Sequence, residues 1–92
     1  MDVNQAVALA KKHVADLFAE EKITNIGLEE VEFDEAANVW NVTVGFSRPW
    51  DDPKNVLATL AQPTYPRRVF KLLRVSGDDG KVLSLKRREV AA

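Results

Sequence analysis

From Val39 to Ser47 the chain alternates without a break, with Trp40, Val42, Val44 and Phe46 in one phase and Asn41, Thr43, Gly45 and Ser47 in the other. Successive side chains of a strand point to opposite faces, so this run predicts a strand with one apolar face. Such a face needs neighbouring strands and a second layer laid over it. The N-terminal segment supplies the layer. Asp2 and Gln5 have the spacing of a capping box, which predicts a helix start there. Val3, Val7, Ala10, Val14, Leu17 and Phe18 then recur at three- and four-residue intervals, while Lys11, Lys12, Asp16 and Glu20 fall opposite. That periodicity continues to Glu21 and Lys22 and predicts a helix of about five turns, stabilised by packing rather than by propensity.

Three more strands follow from the same reasoning. Ile23 to Phe33 carries apolar residues at 26, 28, 31 and 33 and changes phase across Glu29 and Glu30. The change predicts a β-bulge or a strand partly exposed on both faces. Asp34 to Asn38 is a turn. Arg67 to Ser76 has Val69, Leu73 and Val75 in one phase and Phe70 and Leu72 in the other, as a central strand with apolar neighbours on both sides would. Gly77-Asp78-Asp79-Gly80 forms a tight hairpin connection, because such turns demand residues tolerant of positive φ. Val82 to Arg88 returns as the last strand and ends in Lys86, Arg87, Arg88 and Glu89, charges suited to a sheet edge. The order implies an α+β fold: one helix on a roughly four-stranded antiparallel sheet, in a single domain spanning 1–92.

Composition removes several chemistries. The absence of Cys excludes disulfides, thiolate metal sites and Cys nucleophiles, and suits a cytoplasmic location. No apolar run approaches the roughly 20 residues of a membrane span, and no basic-then-apolar leader opens the sequence, so neither a membrane nor an exported form is expected. The net charge of −1 hides an asymmetry. Residues 1–52 carry 4 Lys/Arg against 11 Asp/Glu and residues 53–92 carry 9 against 3, so the halves stand near −7 and +6. Interleaved strands would make that difference an internal attraction.

The least ordinary segment is Arg48 to Pro66, which contains all four prolines with Trp50, Val56, Leu57, Leu60 and Tyr65. Connections beyond about 12–15 residues carry structure or function of their own. Asp52 as cap and Pro53 in the first helical position predict a short helix over Lys54–Ala61. Trp50 and Tyr65 offer large contact area at low entropy cost. The segment is therefore read as a partner-binding surface, with Trp50 and Tyr65 as anchors and Arg48, Arg67 and Arg68 as a charged rim. Covering one end of the sheet is the plainer role for the same residues.

No catalytic constellation emerges. His13 is the only His and sits on a flank of the helix's polar face, with no second ligand at metal-site spacing. Glu29, Glu30, Glu32, Asp34 and Glu35 lack the ligand alternation and glycine of a calcium loop and read as a solvated acidic strand and turn. Ser47, Ser76 and Ser84 have no base nearby in sequence, and the glycines match no phosphate-binding fingerprint. No cofactor and no enzymatic activity are expected. Arg67, Arg68, Lys71, Arg74, Lys86, Arg87 and Arg88 gather on two neighbouring strands and raise a nucleic-acid reading, which the acidic first half opposes.

Taken together, the N-terminal helix, the strand Trp40, Val42, Val44, Phe46 and the closing hairpin Asp79-Gly80-Lys81-Val82 resemble the PepSY and cystatin-like group of small α+β modules. The resemblance spans most of the chain outside 48–66, which would be an insertion. It implies a non-enzymatic module that binds or inhibits peptidases, or an accessory domain of bacterial envelope proteins, and it transfers no functional residue; an inhibitor- or immunity-like role is a special case of the protein-binding reading. The expectation is thus a protein-binding module with a protein partner, nucleic acid being disfavoured. The alternatives are a self-assembling protein, a homodimer being its simplest form, and a nucleic-acid binder using strands 67–88.

Overall fold

A computed structural model describes residues 1–49 and 68–89. Helix α1 spans Val3–Leu17, and the strands are β1 (Thr24–Asp34), β2 (Val39–Ser47), β3 (Val69–Ser76) and β4 (Val82–Arg88). They form one antiparallel sheet in the order β1-β2-β3-β4, with α1 packed on one face, the expected α+β arrangement. No helix among the described residues is long and apolar enough to cross a membrane.

The capping box forms as the sequence predicts. The Gln5 backbone N–H donates to Asp2 Oδ1 at 2.8 Å, and the Asp2 N–H donates to Gln5 Oε1 at 2.9 Å. These two bonds satisfy donors that a helix start otherwise leaves orphaned. Ala6, Ala10 and Val14 are completely buried, and their small volumes let α1 lie close on Val42, Val44, Phe46, Leu73 and Val75. The helix is shorter than its periodicity suggests. It ends at Leu17, and a 3₁₀ turn at Ala19–Glu21 closes with Lys22 in a left-handed conformation, φ 52°. Phe18 leaves helical geometry and stacks on Phe46, with ring centroids 5.2 Å apart. Val3 and Leu17, the first and last helical residues, are exposed although they belong to the apolar pattern.

The phase change at Glu29 and Glu30 is a bulge: the register of β1 against β2 shifts between Leu28 and Glu30, and again between Thr24 and Gly27. Strand β3 is central, as its two apolar phases require. The hairpin after it closes where the Ser76 N–H donates to the Lys81 carbonyl at 2.8 Å, with Gly80 at φ +73° supplying the positive angle. The meander also corrects one expectation about charge. Sequential strands stay in sequential order, so the acidic β1 and the basic β4 stand at opposite edges instead of interleaving.

Candidate functional site

Where β2 and β4 end and β3 begins, a groove of about 710 Å³ opens between Arg48, Arg68, Lys71, Arg87, Arg88 and Glu89, floored by Val69 and Phe70. Register explains the convergence. Lys71 lies opposite Val44 on one side and Arg87 on the other, while Phe70 lies opposite Arg88. Alternation then sends Lys71 and Arg87 to the helix side and Arg68 and Arg88 to the open side.

On the helix side, Lys71 occupies the phase of Val69, Leu73 and Val75. Its Nζ stands 5.7 Å from the centroid of Phe18, and the Arg48 guanidinium stands 5.9 Å from that of Phe46. Two cations therefore flank the Phe18–Phe46 pair. Burial, followed by repulsion from Arg48 and Arg87, holds the Lys71 ammonium below the usual lysine pKa, and Glu21 only partly offsets this. Arg48 itself pairs with Glu21 at 3.1 Å. Lys71 has no ion pair among the described residues.

On the open side, two arginines reach across the sheet to the acidic strand. Arg68 meets Glu29 at 3.3 Å, passing over Gly45. A Cβ at Gly45 would sit 2.9 Å from Arg68 Nη2 and 3.1 Å from a carbon of the Phe70 ring, so a side chain there would displace the end of the Arg68 strap. Arg88 donates from Nη1 to Thr43 Oγ1 at 2.6 Å and from Nη2 to Glu30 at 3.2 Å. Thr43, in the polar phase of β2, is consequently buried at 1% exposure.

Of the partner residues expected from sequence, the structure brings Arg48 and Arg68 together at this groove. Trp50, Tyr65 and Arg67, with the short helix over 54–61, lie outside the described residues. Lys71 and Arg87 join the groove without belonging to that expected set. The signal for Lys71 was its place as the single charged residue in an otherwise apolar phase of a central strand. No family model matches the chain, and neither a curated protein nor a solved structure does.

Proposed function

We propose that the protein is a non-enzymatic, cytoplasmic binding module whose basic groove takes an acidic segment of a protein partner. The carrying observation is Lys71, a half-buried cation between Arg48 and Arg87 with no carboxylate paired to it among the described residues. An incoming carboxylate relieves that repulsion and strengthens in the partly desolvated setting. Trp50 and Tyr65, the anchors expected from the sequence, complete the proposed contact set. The resemblance to PepSY-like and cystatin-like bacterial modules agrees with a partner-binding, inhibitor- or immunity-like role.

A peptide is favoured over nucleic acid by charge balance. Arg48, Arg68, Arg87 and Arg88 are each matched by a glutamate, at Glu21, Glu29, Glu89 and Glu30. With those arginines matched, one carboxylate at Lys71 is within the groove's reach, whereas binding a phosphate backbone relies on many unmatched cations. Fluorescence anisotropy with a labelled Glu/Asp-rich peptide and a labelled single-stranded RNA, at low salt, tests the proposal. The peptide should bind and Lys71→Glu should weaken it about tenfold or more, a loss of roughly 1.4 kcal/mol. Absence of peptide binding, or tighter binding of the RNA, overturns it.

A further inference from the structure

The two outer strands carry opposite charge in matching positions. Among the described residues nothing pairs with the outer edge of β1 or of β4. The register of β1 on β2 is regular from Glu30 to Asp34, and that of β4 on β3 from Ser84 to Arg88. Following the rows across the sheet, Glu30 pairs with Thr43, Thr43 with Leu72 and Leu72 with Lys86. Val31, Val42, Leu73 and Leu85 form the next row. Because β1 and β4 run in opposite directions, a copy displaced by four strand spacings, about 19 Å, continues the sheet in antiparallel fashion. Its β1 then lies beside β4 with Glu30 opposite Lys86, Val31 opposite Leu85 and Glu29 close to Arg87.

We infer that residues 29–34 of a second copy of this chain pair with the outer edge of β4, joining copies head to tail through β1 and β4. This contact lies beside the groove and not in it, since Lys71 stands on β3 with Arg87 of β4 next to it. Charge selects this arrangement over the symmetric ones. Pairing β1 with β1 about Val31 would oppose Glu30 to Glu32 on both sides of the axis, and pairing β4 with β4 about Arg87 would oppose Lys86, Arg87 and Arg88 to one another; like charges facing across strands are destabilising. The apolar surface agrees. The large apolar side chains that the sheet leaves exposed, Leu28, Phe33 and Leu83, lie on β1 and β4. A heterologous contact of this kind does not stop at a dimer unless its rotation closes a ring.

Sedimentation velocity over a concentration series tests this with four samples: wild type, Lys86→Glu, Glu30→Lys, and the two single variants mixed in equal amounts. The wild type should gain mass with concentration at low salt, and each single variant should associate about tenfold more weakly or worse. The mixture should recover wild-type association, since every junction again joins opposite charges, and the double variant should do the same. Circular dichroism melting confirms that each variant is folded. A wild type that remains monomeric throughout, or a mixture and double variant that both fail to recover, overturns the inference. If the wild type is monomeric yet binds the acidic peptide, only the second-copy partner is lost; if it does neither, the groove reading is lost as well.

Discussion

Lys71 concentrates the argument in one side chain. A lysine that folding places beside Phe18, Arg48 and Arg87 has its charged form disfavoured, and its pKa falls below 10.5. The sign of the linkage follows. Between the lowered folded value and 10.5 the unfolded chain holds the proton more tightly, so stability rises with pH across that window. Below the window, the charge at Lys71 costs stability. Lys71→Met removes that cost while keeping a flexible apolar stem in the phase of Val69 and Leu73. Urea unfolding should find the variant at least as stable as wild type at neutral pH, with the gap narrowing as pH approaches 10.5 from below, while acidic-peptide binding is lost. A variant markedly less stable at neutral pH would make Lys71 a structural residue. Sequence alone made its position readable but not its surroundings, because Arg48 and Arg87 reach it only through pairing of β2 and β4 on either side of β3.

At the scale of elements, local chemistry was the most legible part. The pair Asp2 and Gln5 announced the start of α1, the break at Glu29 and Glu30 announced the bulge, and the alternation of Val39–Ser47 fixed β2 to the residue. The end of α1 was not legible. Periodicity extends past Leu17, but Phe18 gains more by stacking on Phe46 than by continuing the helix, and that contact is tertiary. Burial on the open face was hidden for the same reason: Arg88 reaching Thr43, with Arg68 and Phe70 over Gly45, covers a polar alternation. The cap carries a prediction of its own. Asp2→Ala deletes the acceptor for the Gln5 N–H and leaves the returning Gln5 bond without its partner geometry. The expected cost is about 1 kcal/mol, a fall in melting temperature of roughly 4–8 °C for a domain of this size. Thermal unfolding followed at 222 nm, the usual helix signal, reads it, and an unchanged midpoint would mean that packing alone holds the first turn.

For the whole molecule, the meander turns a gradient of charge along the sequence into a gradient across the sheet, acidic at β1 and basic at β4. Two ion pairs, Arg68–Glu29 and Arg88–Glu30, tie the two halves together. Surface pairs, partly buried like these, are worth about 1 kcal/mol each or less, so the asymmetry matters more for what approaches the surface than for the fold. Strand β2 ends and β3 begins at the basic end of the sheet, beside Arg48 and Arg68. If the aromatics of segment 48–66 serve a partner, Trp50→Ala with Tyr65→Ala should weaken acidic-peptide binding several-fold and leave the melting temperature nearly unchanged, because contact area lost from a binding surface does not open a cavity in the core. If they serve as a cover for the end of the sheet, the order reverses: the melting temperature falls by many degrees, and binding by the refolded variant follows Lys71 alone. Measuring both quantities on the same double variant separates these roles, since a binding surface and a packed lid respond to the same truncation through different free energies.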